Sequence, residues 1–244
     1  MSFEDVLRSA QDGDQYAQVA MGYMFFKGDG VVQDRREAAR WFGLAADQGN
    51  AEAMCNLGHM RAHGTGMRPD LDKAMELYQR SAELGWPQAM FNLGFMYSDV
   101  EGIPQDWEKA LYWYTRAAEE GNIMALYRVG VINERGLGKD PDLKEAIECY
   151  TRCFEADYPK AGYRLGMMNL EGRGVPKNPT KAVKFFVKAA DLGSPDAMLE
   201  LGRMSLSGEG MVKSEKNARS WLRKAAARGS DEAKILLDSM EAKS

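Results

Sequence analysis

The sequence predicts an all-α solenoid in which six copies of a 36-residue helix–turn–helix unit follow one another from about residue 14 to residue 229. Two observations lead to this prediction. Glycine makes up 25 of 244 residues, above its usual share of about 7%, although the chain is rich in helix formers and has only 8 prolines. Glycine weakens helices, so these residues must occupy special positions. The second observation, a strict internal repeat, identifies those positions.

Small residues recur every 36 positions without an insertion or a deletion. Such regular spacing predicts a stack of similar units with the boundaries 14–49, 50–85, 86–121, 122–157, 158–193 and 194–229, in a single domain that spans residues 1–244. The columns are Ala17, Ala53, Ala89, Ala125, Ala161, Ala197 and Ala233; Ala38, Ala74, Ala110, Ala146, Ala182 and Ala218; Gly22, Gly58, Gly94, Gly130, Gly166 and Gly202; and Gly30, Gly66, Gly102, Gly138, Gly174 and Gly210.

The first half of each copy is predicted to be a helix, helix A, which covers about residues 14–27 in the first copy. Small and apolar residues recur there at helical spacing, as at Ala17, Met21 and Met24. Gly22 lies on the same face. Its missing Cβ costs up to about 1 kcal/mol in helix propensity, and it lets a neighbouring helix approach closely.

The second half of each copy is predicted to be a second helix, helix B. It ends at a glycine such as Gly49 in a left-handed conformation, which Asp157 replaces in the fourth copy because Asp tolerates that conformation. Half-repeats at 1–13 and 230–244 are predicted to be capping helices. Each helix B follows a residue whose side chain can accept hydrogen bonds from the first turn: Asp34, Asp70, Asp106, Asp142, Asn178 and Ser214.

Composition excludes several classes of protein. With 45% hydrophobic and 28% charged residues, the chain is neither disordered nor collagen-like. It lacks the apolar run of about 18 residues that a membrane span needs, and it does not begin with a secretory signal. A net charge of −4 predicts attraction to neither nucleic acid nor anionic membranes. Three cysteines cannot form a disulfide framework, so we expect a cytoplasmic protein.

The repeat pattern resembles the Sel-1-like repeat, a relative of the tetratricopeptide repeat. The resemblance spans essentially the whole chain, and good copies of the motif are Ala53-Met-Cys-Asn-Leu-Gly58 and Lys181-Ala-Val-Lys-Phe-Phe-Val-Lys-Ala-Ala-Asp-Leu-Gly193. It implies α/α hairpins stacked in a right-handed superhelix and a scaffold or adaptor that binds proteins rather than an enzyme. It names no partner.

Cysteine-rich members of this class link each helix B to the next helix A through a Cys-x7-Cys pair. None of the corresponding pairs in this chain is cysteine, but the columns mark positions that touch. In four pairs a small residue precedes a large one, and the fourth copy reverses this order with Phe154 and Gly162. We therefore predict that the ring of Phe154 packs over Gly162.

In such stacks the A helices line a concave surface on which tetratricopeptide proteins hold peptides. Aromatic rings beside amide and basic groups suit a peptide that has apolar side chains and a carboxylate. Lys160-Ala-Gly-Tyr-Arg164 resembles half of the carboxylate clamp of some tetratricopeptide domains. In the alternative interpretation, the rings bury against adjacent A helices and the Asn is part of the repeat framework. The predicted peptide-binding residues are Phe91, Asn92, Phe95, Tyr127, Arg128, Lys160, Tyr163 and Arg164.

A rival hypothesis places a metal-binding regulator or an enzyme at Cys55, His59 and His63. Spacings of four residues put these side chains on one face of a helix, and Asp99 occupies the position of His63 in the next repeat. Thiolate and imidazole are Zn²⁺ ligands. However, a solenoid is already stabilised by packing between its repeats and needs no structural metal, so we predict no metal site. The sequence has no phosphate loop, dinucleotide fingerprint or Ser-x-x-Lys motif. It therefore predicts no cofactor and no catalytic residues. We expect an unidentified protein or peptide as the partner, and self-association is a third hypothesis.

Overall fold

The computed structural model describes residues 2–241, which form fourteen α-helices and contain no β-strand. Helices α2 to α13 alternate between helix A and helix B, and each A helix forms a hairpin with the B helix that follows it. The all-α solenoid of six repeats predicted from the sequence is confirmed. The helices are α1 Phe3–Gln11, α2 Gln15–Lys27, α3 Arg35–Asp47, α4 Ala51–His63, α5 Leu71–Glu83, α6 Pro87–Asp99, α7 Trp107–Glu119, α8 Ile123–Arg135, α9 Leu143–Glu155, α10 Pro159–Glu171, α11 Pro179–Asp191, α12 Pro195–Ser207, α13 Glu215–Ala227 and α14 Asp231–Glu241.

The chain divides into two compact units, a first unit that ends at Ala125 and a second unit that begins at Leu126. Each unit has apolar residues buried between its hairpins, such as Phe42 and Met54 in the first and Phe186 and Leu201 in the second. Within residues 2–241, no helix is both long enough and apolar enough to cross a membrane.

Side-chain caps begin every B helix, as the sequence predicted. The Asp70 carboxylate accepts a hydrogen bond from the backbone N–H of Lys73 at 3.0 Å, and the five corresponding residues of the other repeats cap their helices in the same way. The left-handed stop after α9 is also confirmed, because Asp157 has a φ of +57°. Local hydrogen bonds therefore fix both ends of these helices.

The glycine in the middle of each A helix lies directly against a large side chain of the B helix in the same hairpin. A Cβ placed on Gly22 would lie 2.6 Å from the ring of Phe42, and one on Gly202 would lie 2.7 Å from the side chain of Leu222. No substituent larger than hydrogen fits at such distances. The six pairs are Gly22 with Phe42, Gly58 with Tyr78, Gly94 with Tyr114, Gly130 with Tyr150, Gly166 with Phe186 and Gly202 with Leu222.

The packing predicted for Phe154 is also confirmed. A Cβ on Gly162 would lie 2.8 Å from the ring of Phe154, so the ring covers the glycine and joins α9 to α10. The same ring contacts Phe185 edge-on at 5.3 Å, and the ammonium group of Lys188 lies 4.5 Å from its centroid. The reversed order of large and small residues in this repeat therefore keeps the volume of the contact.

A pair of glycine substitutions in the first hairpin tests this packing. Gly22→Ala should lower the free energy of unfolding by about 1–3 kcal/mol, because the methyl group would overlap the ring of Phe42. Gly43→Ala, in the adjacent α3, should raise it by about 0.5–1 kcal/mol, since a Cβ there meets no atom within 4 Å. Urea unfolding of the two variants measures both changes, and equal effects at the two positions would contradict the packing.

Candidate functional site

The eight predicted binding residues all lie on A helices, and none of them is fully buried. Phe91, Asn92 and Phe95 belong to α6 in the first unit. The other five belong to the second unit: Tyr127 and Arg128 lie on α8, and Lys160, Tyr163 and Arg164 lie on α10.

The three residues of α6 differ in how firmly they are held. The half-buried ring of Phe91 contacts Tyr114 with a centroid distance of 5.5 Å. The Asn92 side chain donates a hydrogen bond to the sulfur of Cys55 on α4 at 3.6 Å. Phe95 is 36% exposed, which is unusual for phenylalanine. This helix therefore anchors two of the side chains and presents the third to solvent.

An open pocket of about 270 Å³ lies beside Phe95, between α4, α5 and the end of α6. Its apolar wall is formed by Ala62, Leu71, Phe95, Met96 and Val100, and no lysine or arginine lines it. The polar residues that line it are His59, His63, Tyr78, Asn92, Asp99 and Glu101.

A departure from the repeat pattern contributes Val100 and Glu101 to this pocket. Gly28, Gly64, Gly172 and Gly208 end their A helices in the left-handed conformation. The third repeat has Val100 in this column, with extended backbone at φ −102° and ψ 122°. A β-branched residue avoids positive φ, so the chain leaves α6 along a different path from the one that it takes after the glycines.

The five residues of the second unit include a ring cluster. The Tyr127 ring lies 5.6 Å from that of Tyr150 and 5.2 Å from that of Tyr158. Tyr163 contacts Phe186 at 6.0 Å. The rings of Tyr127 and Tyr163 therefore pack against the B helices of their own hairpins, while both side chains keep part of their surface exposed.

A buried carboxylate holds Arg164. The Glu134 side chain, only 3% exposed, accepts hydrogen bonds from the Tyr150 hydroxyl at 2.7 Å and from Arg173 at 3.0 Å. One guanidinium nitrogen of Arg164 lies 3.8 Å from the same carboxylate, and another donates to the Tyr127 hydroxyl at 3.4 Å. Burial raises the pKa of Tyr150, and the hydrogen bond to Glu134 adds to the effect. Arg164 thus has a carboxylate partner within the protein, which argues against its use as a clamp for a peptide carboxylate.

The residues of the rival hypothesis do not converge on one point. Cys55 is buried, and this burial raises the pKa of its thiol to about 12, so at neutral pH it is protonated and a poor metal ligand. The rings of His59 and His63 stack at 4.2 Å, and Nδ1 of His63 lies 2.9 Å from the His59 carbonyl oxygen. Throughout residues 2–241, no three His, Cys, Asp or Glu side chains are grouped so that they could hold one metal ion.

The repeats match one known family throughout. The profile of the Sel1 repeat matches residues 15–50, 51–86, 87–122, 123–157, 159–194 and 195–230. The chain belongs to the Sel1 repeat family. Proteins with this repeat are in general scaffolds for protein–protein interactions.

Solved structures of Sel1 repeat proteins are similar to this one. A Sel1 repeat protein from Oxalobacter formigenes is 30% identical, with 89% of each chain covered and a TM-score of 0.81. A protective antigen of uropathogenic Escherichia coli with the same type of fold is also 30% identical, with a TM-score of 0.66, and the match covers 96% of this chain and 58% of that one. An immunity protein from Pseudomonas aeruginosa shares the fold at 22% identity, with coverage of 89% and 83% and a TM-score of 0.52. Comparison with curated protein sequences gave no significant match.

Sequence reasoning missed two features of this Sel1 repeat protein. The first is the buried Glu134, which lies in a column otherwise filled by uncharged and mostly apolar residues: Phe26, Ala62, Ser98, Leu170 and Leu206. The second is the set of pocket residues after α6. Each has a signal in the sequence: Val100 is the one non-glycine in its column, and Glu134 is the one charged residue in its column.

The hydrogen bond between Tyr150 and Glu134 should contribute measurably to stability. We expect Tyr150→Phe to lower the free energy of unfolding by about 1.5–3 kcal/mol, because a buried carboxylate loses a donor. Tyr16→Phe is the control, since Tyr16 is 72% exposed and its change should stay within about 0.5 kcal/mol. Urea unfolding measures both, and a Tyr150→Phe variant as stable as the control would contradict the arrangement.

The imidazole of His59 should titrate below its ordinary pKa range. Burial lowers the pKa of His59, and the charge of His63 lowers it further, from an ordinary value of about 6.5. The unfolded chain therefore binds this proton more readily, so the contribution to stability is complete above that value and is lost as the pH falls through the pKa of the folded state.

An NMR titration of the imidazole signals measures this pKa directly. His63→Gln should raise the pKa of His59 towards its ordinary value, because it removes the neighbouring positive charge. If His59 titrates at or above about 6.5 in the unmodified protein, the predicted shift is wrong.

Proposed function

We propose that this Sel1 repeat protein is a non-catalytic scaffold that binds an extended segment of a partner protein on the surface formed by its A helices. The main support is the pocket beside Phe95, where an exposed aromatic ring lies next to the polar side chain of Asn92. Exposed aromatic rings beside hydrogen-bonding groups are typical of the sites at which proteins hold one another.

The second unit offers a further contact surface of different chemistry. Arg128 is half-buried and Lys160 is exposed, and neither forms an ion pair among the described residues. Tyr127 and Tyr163 are each partly exposed beside them. Because Arg164 already faces Glu134, we assign any contact with partner carboxylates to Arg128 and Lys160.

A catalytic role has little support in the side chains. Burial raises the pKa of all three thiols, Cys55, Cys149 and Cys153, to about 12, so they are poor nucleophiles at neutral pH. All three cysteines are buried. We therefore propose that the protein works as a scaffold in a reducing compartment, the cytoplasm, where such thiols persist.

Peptide selection tests this proposal without knowledge of the natural partner. A displayed library of random 12-residue peptides is selected against the immobilised full chain, and the affinity of enriched peptides is measured in solution. We expect Phe95→Ala to weaken a selected peptide about tenfold, which corresponds to about 1.4 kcal/mol, because the exposed ring is lost. Arg128→Ala with Lys160→Ala should weaken peptides that bind the second unit.

Two control variants carry similar side chains on B helices. Tyr112 on α7 is 52% exposed, and Arg152 on α9 is exposed, so Tyr112→Ala and Arg152→Ala should leave peptide affinity unchanged. If the controls weaken binding as much as the A-helix variants, or if no enriched peptide depends on an A-helix residue, the proposed surface is wrong. If size-exclusion mass shows a dimer that Phe95→Ala dissociates, the surface serves self-association instead.

A further inference from the structure

The pocket beside Phe95 has an apolar wall and an acidic edge. Leu71, Met96 and Val100 line it together with the Phe95 ring, while Asp99 and Glu101 lie at the end of α6 and in the loop after it. Both carboxylates belong to exposed residues, and neither forms an ion pair among the described residues. A surface of this kind favours a group that is apolar along its length and positively charged at its tip.

The size of the pocket further limits what it can hold. Its volume of about 270 Å³ lies just below the range of roughly 300–1,000 Å³ found for pockets that hold drug-sized ligands. One long side chain of a partner protein is a better match than a separate small molecule. The pocket is partly open to solvent, so the backbone of that partner can remain outside.

We propose that the pocket formed by α4, α5 and the end of α6 binds an arginine side chain from a basic segment of the partner protein. This inference rests on the proposed function, because it assigns a specific partner chemistry to the same A-helix surface. The aliphatic stem of the arginine would lie along Leu71 and Val100, and its guanidinium group would pair with Asp99 and Glu101.

Arginine fits this surface better than lysine or an apolar side chain does. Its planar, weakly hydrated guanidinium group stacks on aromatic rings and binds carboxylates through paired hydrogen bonds, whereas the ammonium group of lysine is compact and strongly hydrated. Phe95 and the stacked rings of His59 and His63 supply such rings. An apolar side chain would leave the two carboxylates without a partner and would gain nothing from them.

The surrounding charges are compatible with a bound cation. No lysine or arginine lines the pocket, so no permanently charged cation of the protein itself competes for the carboxylates. Burial, followed by the effect of His63, lowers the pKa of His59, so this imidazole is neutral at pH 7.5 and does not repel a guanidinium group.

NMR titration of the 15N-labelled full chain at pH 7.5 tests the proposal. The probes are Nα-acetyl-arginine N-methylamide, the citrulline compound of the same shape without the charge, and the lysine compound. We expect the arginine probe to shift backbone amides near residues 95–101 saturably, with a Kd on the order of 1 mM. The citrulline probe should bind at least about tenfold more weakly, and the lysine probe should lie between them.

Variants of the two carboxylates test whether the arginine probe binds in the pocket or elsewhere on the surface. Asp99→Asn combined with Glu101→Gln should weaken the arginine probe about tenfold and leave the citrulline probe unchanged. Asp29→Asn is the matched control, because Asp29 occupies the position of Glu101 in the first repeat, and it should have no effect. Equal binding of arginine and citrulline, or amide shifts away from residues 95–101, would overturn the proposal.

The two experiments separate the arginine specificity of the pocket from the proposed scaffold function. If the arginine probe does not bind the pocket but selected peptides still depend on Phe95, the arginine specificity is wrong and the scaffold function stands. If peptides depend on no A-helix residue, the scaffold surface is wrong, whatever the arginine probe does.

Discussion

The contact between a glycine in helix A and a large side chain in helix B determines the structure of every hairpin. In each repeat the missing Cβ leaves space for Phe42 or its counterpart, and these partner side chains are among the most deeply buried of the described residues. The glycine weakens its own helix by about 1 kcal/mol, and the close packing that it allows offsets this loss. Side-chain caps and left-handed stops then fix the two ends of each B helix through local hydrogen bonds.

Because the same packing positions recur in every repeat, binding specificity must come from positions that do not take part in this packing. The mid-helix glycines and their large partners on the B helices pack against each other in all six repeats, so a binding site can arise only from side chains that face solvent or from a break in the pattern. The third repeat provides both, with the exposed Phe95 and with Val100 in place of a glycine. In the second unit, Arg164 and Arg173 instead form ion pairs with the buried Glu134.

Features that depend on local or strictly periodic contacts could be predicted from the sequence. The caps at Asp34 and its counterparts could be predicted because the hydrogen bond is made within one turn, and the pairing of Phe154 with Gly162 followed from a column in which two residues exchange their sizes. Val100 marks a break in the repeat pattern, but the pocket itself could not be predicted, because it depends on the path of the backbone after Val100. The partner of Arg164 could not be predicted either: Glu134 lies 30 residues earlier, and its burial depends on tertiary packing.

The most direct test of the central contact is a double-mutant cycle at Gly202 and Leu222, since a Cβ on Gly202 meets only Leu222 at less than 3.7 Å. In the unmodified protein, Gly202→Ala should lower the free energy of unfolding measured by urea titration. With Leu222→Ala already present, the same substitution should raise it by up to about 1 kcal/mol, because only the gain in helix propensity remains. A Gly202→Ala effect that is the same in both backgrounds would contradict the account.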